Sequence, residues 1–330
     1  MPSRTEGGSL DPRRLPGVGL KSRTTLSLIL LTLLAAPASE AQTLERLPDA
    51  FPPPTTRLLV VSPHPDDETL GAGGLIQRVL HRGGAVAVVL VTSGDGYPEG
   101  VEVVNGITRP TAEDYRGYGK VRLEEAWRAL AMLGVPESGR VFLGFPDGGL
   151  CALRGEYLQH RGLGYESPFT RERRPPASQV LVPGTEYRGE DLEEELRHVL
   201  SSFRPTVVVT TDPRDQHPDH RATFFFVRSA LKKLLRLDPS LRPELLTFLI
   251  HFGHWPLTES AESDADLAPP RGLPEARWLD FALSPAETET KHSALLQYRT
   301  QQLIMGRFLL SFARPNELYI AVGPVPESPC

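Results

Sequence analysis

Short runs of aliphatic and β-branched residues alternate along the chain with segments whose apolar positions recur every three or four residues. Leu58 to Ser62 (LLVVS), followed by Pro63, predicts a buried strand. Leu70, Leu75, Ile76, Val79 and Leu80 then fall on one helical face, which Gly83-Gly84 ends. Further strands are predicted at Ala85 to Thr92, Val141 to Phe145, Thr206 to Thr211, Leu245 to His251, Trp278 to Ala282 and Glu317 to Val322. Helical spacing predicts helices at Val121 to Leu133, Asp191 to Phe203, Ala222 to Leu237 and Pro285 to Gln302. The acidic first turn of the helix at Asp191 suits its dipole. Alternating strands and helices imply an α/β fold, a mostly parallel sheet with helices on both faces.

Two connections interrupt this rhythm, Ser93 to Gly119 and Pro146 to Glu190. Loops of such length in compact domains commonly carry function. The second leaves a strand end and carries Arg154, Arg161, Arg171, Arg173, Arg174 and Arg188 with Tyr157, Tyr165, Phe169 and Tyr187. It is expected to form a partial lid that sets substrate choice. Glu259 to Pro274 reads as a surface excursion.

The N-terminus reads as a leader. Lys21 and Arg23 precede a short apolar run, Leu26 to Ala36, and Ser39-Glu40-Ala41 fits a small-x-small cleavage site. The run is too short for a membrane span, which needs about 20 apolar residues. The expectation is therefore export to a periplasmic or extracellular location, with the signal peptide cleaved near Ala41. Residues 1–41 then form the leader, 42–56 a linker, 57–322 the working domain and 323–330 a tail. The sequence has 36 Lys and Arg against 41 Asp and Glu, a formal net charge of −5. That balance, with no long basic run, excludes a nucleic-acid binder. Two cysteines, Cys151 and Cys330, support neither a disulfide scaffold nor a four-cysteine zinc module, although they could pair with each other.

Candidate chemistry sits where two strands end. The first strand runs into His64-Pro65-Asp66-Asp67-Glu68, and the fourth into Asp212-Pro-Arg-Asp-Gln-His217-Pro218-Asp219-His220. Open α/β sheets bind ligands beyond the carboxyl ends of their strands, so the two clusters can meet there. Imidazoles and carboxylates suit zinc, and a catalytic zinc site keeps three protein ligands with one open position. Asp66 and Asp67, being consecutive, point apart; one can ligate while the other acts as general base. In His217-Pro-Asp-His220 the outer His can ligate while the inner one faces substrate, and Asp219 can fix an imidazole tautomer. Asp212 and Asp215 read as turn or capping residues, His251 and His254 as loop or core residues, and Ser93-Gly94-Asp95-Gly96 as a turn at the mouth of the site.

PHPDDETLGAGG at 63–74 and HPDH at 217–220 resemble the two signature motifs of the GlcNAc-phosphatidylinositol de-N-acetylase family, the LmbE-like deacetylases. VRLEEAWRALAMLGV at 121–135, FLGFPDGGL at 142–150 and KHSALLQYRTQ at 291–301 follow in the order expected of that family, so the resemblance spans roughly Arg57 to Val322. It implies a Rossmann-like LmbE fold and metal-dependent hydrolysis of an N-acetylglucosamine-type amide. It also implies Zn²⁺ (or another divalent metal) on His64, Asp67 and His220, with Asp66 as base. His217 would stabilise the oxyanion with Asp219 as its orienting partner, and Arg122 and Asp147 would contact the sugar. The expected partner is a small-molecule or glycan N-acetyl substrate, with neither nucleic acid nor a stable membrane span; the oligomeric state is not legible. Three other readings of the same residues are an iron oxygenase with Asp66 in place of Asp67 as ligand, an amidase or esterase on a non-sugar substrate, and a non-catalytic glycan binder.

Overall fold

The computed structural model describes residues 43–158, 164–257, 265–273 and 276–322. The leader with its apolar run, the tail 323–330 and Cys330 lie outside the described residues. Eight strands form one sheet: β1 (Thr43–Arg46), β2 (Arg57–Ser62), β3 (Ala85–Thr92), β4 (Arg140–Phe145), β5 (Val207–Thr211), β6 (Glu244–Phe248), β7 (Arg277–Ala282) and β8 (Asn316–Ala321). Their order across the sheet is β1-β7-β8-β6-β5-β2-β3-β4. Every pairing is parallel except those of β8, which runs antiparallel to β6 and β7. The expected α/β architecture with a mostly parallel sheet is the observed one.

The eight α-helices among the described residues are α1 (Asp67–His81), α2 (Pro98–Asn105), α3 (Ala112–Met132), α4 (Leu150–Arg154), α5 (Gly189–Phe203), α6 (Pro218–Leu237), α7 (Pro285–Leu295) and α8 (Arg299–Leu310). Strand residues alternate between two apolar cores. Leu58, Val60, Val88 and Leu90 pack with α1, α3, α7 and α8, whereas Leu59, Val61, Val89 and Val91 pack with α4, α5 and α6. The glycines of the first motif let α1 lie close to the sheet: a side chain at Gly71 would meet the Phe248 ring at 2.3 Å.

Three expectations need correction. Residues 43–46, read as linker, form an edge strand paired with β7. The 93–119 connection holds α2 and the start of α3, whose N-terminus is fixed by a capping box between Thr111 and Asp114. The helix expected from Pro285 to Gln302 is two helices, because Tyr298 adopts φ −80°, ψ 62° between them. The segment from Pro146 to Glu190, expected to form a partial lid, meets the site at its start. Among its described residues, Asp147 and Gly148 line the cavity that also holds His64, Asp66 and Asp67. Tyr165 packs on Tyr157 with ring centroids 5.4 Å apart, Phe169 packs on Tyr115 at 5.2 Å, and Arg173 pairs with Glu166 at 2.8 Å. Arg174 and Tyr187 face a separate cavity beside Ser93 and Asp95. Aromatic packing and local ion pairs hold these described residues against the body.

A buried ion pair ties the C-terminal elements to α1. Lys291 of α7 and Glu317 of β8 lie 2.7 Å apart with side chains only 1% exposed. Lys291 Nζ also donates to the Leu70 carbonyl at 2.8 Å. Glu317 accepts from the N–H groups of Gly74 (2.7 Å) and Leu75 (3.0 Å) and from the Tyr319 hydroxyl (2.7 Å). Removing one partner leaves an uncompensated buried charge. Lys291→Met should therefore lower unfolding free energy by about 3–5 kcal/mol, measured by urea denaturation. Adding Glu317→Leu should recover part of that loss; no recovery would show that the pair is not the source.

Candidate active site and metal centre

Because β2 to β6 run in parallel, except that β6 also meets antiparallel β8, their carboxyl ends open on one edge of the sheet. The turn after β2 brings His64, Asp66 and Asp67, the loop after β4 brings Asp147, and the loop after β5 brings Asp215, His217, Asp219 and His220. A cavity of about 220 Å³ lies there. Both motifs meet in it, as their positions at strand ends predicted.

One carboxylate oxygen joins the two motifs. Asp67 Oδ2 lies 3.0 Å from His64 Nδ1 and 3.2 Å from His220 Nε2. His64 Nε2 lies 3.1 Å from Asp147 Oδ1, and His220 Nδ1 lies 3.1 Å from Asp215 Oδ2. These contacts have ion-pair distances, yet His64 Nε2 and both nitrogens of His220 are buried without an aligned hydrogen bond. Close carboxylate and imidazole donors lacking hydrogen-bond geometry fit a cation between them. Three sets of donors, His64 with His217 and His220, Asp67 with His220 and His251, and His64 with Asp147 and Asp219, each lie within 4.8 Å of one another. The residues present therefore fit a divalent metal.

Asp66 lines the same cavity but pairs with Arg122 instead of the imidazoles. It precedes α1 with φ 115° and makes no side-chain cap, and its Oδ2 lies 3.2 Å from Arg122 NH2. Burial pushes its carboxyl up to about 8 against the pull of Arg122, and Asp67 and Glu68 add to the rise. Asp67 behaves oppositely: although burial opposes ionisation, His220 and His64 hold it well below the usual carboxylate range. Arg122 is fixed by the carbonyls of Gly94 (2.8 Å) and Pro65 (2.7 Å), so it braces the motif turn as well as lining the cavity. Asp147 also lines the cavity, but one of its oxygens accepts from Gly96 N at 2.7 Å while the other faces His64.

The expected role of Asp219 needs correction. Its carboxylate accepts from Gly148 N (2.7 Å) and Leu150 N (3.1 Å), and it lies 3.6 Å from His64 Nε2. It orients His217 only through its backbone N–H, which donates to His217 Nδ1 at 3.2 Å. Because Nδ1 accepts, a neutral His217 carries its proton on Nε2. Burial, with His64 and His220 nearby, lowers the His217 pKa to about 2, so the ring is neutral.

Sequence reading missed several participants. Asp215, read as a turn residue, does accept from the N–H groups of His217 (2.8 Å), Ile250 (2.9 Å) and His251 (2.9 Å), but it also supports His220. His251 lines the cavity, its ring 4.9 Å from that of His220 and stacked on Phe308 at 5.5 Å; its place after β6, beside β5, was the available signal. His254 is exposed. Gln301, Met305, Phe308 and Leu309 of α8 form a further wall that no motif signalled. Asp212 stays a turn residue, bound to Arg214 and to Thr247 Oγ1 at 2.6 Å.

Supporting residues of this kind commonly change metal affinity 10–100-fold when altered. Asp215→Asn should weaken divalent-metal binding by roughly that factor, read by competition with a chromophoric chelator. Unchanged affinity would limit Asp215 to holding its loop.

The chain is similar to known proteins over part of its length. A 1D-myo-inositol 2-acetamido-2-deoxy-α-D-glucopyranoside deacetylase from Streptomyces avermitilis is 32% identical over 200 residues, covering 59% of this chain and 58% of that protein. One of the same name, numbered 1, from Saccharopolyspora erythraea is 36% identical over 168 residues, covering 50% of each. The chain thus spans only about half to three-fifths of the length of these curated relatives. A crystal structure of the A40926 pseudoaglycone deacetylase is 21% identical, with a TM-score of 0.49, over 81% of this chain and 97% of that one. The expectation of an exported, signal-cleaved protein drawn from residues 21–41 is overturned by the match to these sugar–inositol deacetylases. No helix among the described residues is long and apolar enough to cross a membrane. The model of the family described as PIG-L, GlcNAc-PI de-N-acetylase, matches residues 59–231, and the chain belongs to that family.

Proposed function

We propose that the site hydrolyses the amide of an N-acetylglucosamine-type substrate, releasing acetate and a free amine. His64, Asp67 and His220 would hold the divalent metal, which we assign as zinc. The observation that carries this reading is the divergence of two consecutive carboxylates. Asp67 lies between two imidazoles, whereas Asp66 faces Arg122. A bound divalent cation supplies Lewis-acid polarisation of the amide carbonyl and makes water more acidic.

Asp66 takes the proton of the attacking water. His217, with its proton on Nε2, donates to the oxygen that becomes negative in the tetrahedral state. A neutral imidazole serves as a hydrogen-bond donor there but does not carry a second proton. The proton therefore returns to the departing nitrogen from Asp66, whose buried surroundings favour its protonated form. Arg122 opposes the effect of burial and so favours the ionised form of Asp66 that accepts the proton. Arg122 and Asp147 at the cavity wall present charged groups to sugar hydroxyls. The curated relatives' names, which specify a 2-acetamido sugar on inositol, support that substrate class.

Asp66→Asn should retain zinc and lose on the order of 100-fold or more in kcat, whereas His220→Ala should lose most bound zinc. Metal analysis and acetate release from N-acetylated sugars, sugar–inositols and non-sugar acetamides check both. If Asp66→Asn empties the site while Asp67→Asn leaves it filled, the ligand assignment is wrong. Preference for the non-sugar acetamides would replace the sugar substrate.

A further inference from the structure

We propose that Glu68 and Tyr298 form a positioning pair that holds the Asp66 carboxylate in its working orientation, an inference that rests on Asp66 being the base. Asp66 occupies φ 115°, ψ −37°, a conformation disfavoured for a residue with a side chain. An Asp preceding a helix ordinarily turns its carboxylate onto the first N–H groups. Here that cap is absent; only the Asp66 carbonyl accepts from Thr69 N and Leu70 N, both at 2.9 Å. The helix end therefore does not hold the carboxylate in place. The backbone must be held from elsewhere.

Glu68 does this. Its Oε2 accepts from Asp66 N at 3.1 Å, and its Oε1 accepts from Thr69 Oγ1 at 2.9 Å and from the Tyr298 hydroxyl. Thr69 Oγ1 and the Tyr298 hydroxyl lie 3.0 Å apart and close the network. Glu68, Thr69 and Tyr298 are completely buried. Tyr298 stands in the break between α7 and α8, and its carbonyl accepts from Gln301 N (3.0 Å) and Gln302 N (2.9 Å). A second contact secures the same junction: Glu125 of α3 accepts from Thr300 N (3.0 Å) and Thr300 Oγ1 (2.6 Å). The hydroxyl thus reaches the motif turn from an anchored position remote in sequence. Without the Glu68 acceptor, the Asp66 N–H is left buried and unpaired. Rotation of Asp66 to negative φ then allows its carboxylate to cap α1 instead of facing Arg122.

The test compares Glu68→Leu, Glu68→Gln and Tyr298→Phe in the full-length, zinc-loaded protein. Gln can still accept from Asp66 N with its amide oxygen and donate to the hydroxyl oxygens with its NH₂. Glu68→Leu should lower kcat on the order of 10–100-fold, the scale of a misplaced catalytic group. Tyr298→Phe should lower it by a smaller factor. KM and zinc affinity should stay within about twofold in both, and Glu68→Gln within about threefold of the parent kcat. In an Asp66→Asn background, Glu68→Leu should have no further effect on residual activity, since its role runs through Asp66. An unchanged kcat with only a lowered Tm overturns the inference. So does a loss that follows zinc affinity or KM, a Glu68→Gln variant as poor as Glu68→Leu, or additivity with Asp66→Asn. If Glu68→Leu does not fold, the kcat and Tm of Tyr298→Phe decide. Full activity of Asp66→Asn alone would instead overturn the reading of Asp66 as base.

Discussion

The constraint on which this molecule's working edge depends is the burial of many carboxylates in one small volume. Asp66, Asp67, Asp147, Asp215 and Asp219 are all nearly inaccessible to water, and so are His64, His220 and Arg122. Taking such charges out of water is costly unless each finds opposite charge and hydrogen-bond donors. The fold meets this need with backbone N–H groups of the strand-end loops. Asp147 takes Gly96 N, Asp219 takes Gly148 N and Leu150 N, and Asp215 takes the N–H groups of His217, Ile250 and His251. The acids that build the site are thereby the same groups that shape the loops around it. Altering one of them disturbs both a charge balance and a loop.

The architecture and the two chemical clusters were legible because both are local signals. A run such as Ala85 to Thr92 reads as a buried strand by itself, and His64 to Glu68 directly follows another. What escaped depends on partners distant in sequence. Thr43–Arg46 has no apolar run of its own and becomes a strand only by pairing with β7. The first turns of α3 contain Gly117 and Gly119, and their buried residues Tyr115 and Tyr118 lie outside a regular apolar stripe. Tyr298 breaks a helix whose apolar spacing runs through it, since its hydroxyl is committed to Glu68. The same limit applied to the site. Asp219 was correctly placed beside His217, but which of its groups touches the ring was decided by the β4–α4 loop, which takes the carboxylate.

The chemistry and its surroundings come from different parts of the chain. The candidate metal ligands, Asp66, Arg122, Asp147 and His217 all lie within the family match at residues 59–231. Ile250, His251 and the α8 residues Gln301, Met305, Phe308 and Leu309 lie beyond it, yet they line the same cavity. Polar groups that must bond or transfer protons tolerate little displacement, whereas an apolar wall restricts shape and size. Within one cavity, the family-matched part supplies the candidate metal ligands and the acidic groups, and the remaining part supplies much of the wall.

These two parts are nevertheless mechanically joined. Lys291 and Glu317 fasten α7 and β8 to the middle of α1, while Tyr298 fastens the α7–α8 junction to its first turn. The helix that follows the metal-ligand turn is thus gripped at two levels by C-terminal elements. Gly73 leaves room for Lys291, because a side chain there would come within 3.2 Å of it. A shift of α8 to fit a different substrate would therefore pull on the turn that carries Asp66. With Asp66 as the proposed base, size selection and its aim would be coupled through one tyrosine hydroxyl and one buried carboxylate. Changes to the α8 wall are best tolerated on its cavity-facing residues, where Met305 and Phe308 are only partly buried, rather than at Tyr298, which is wholly enclosed.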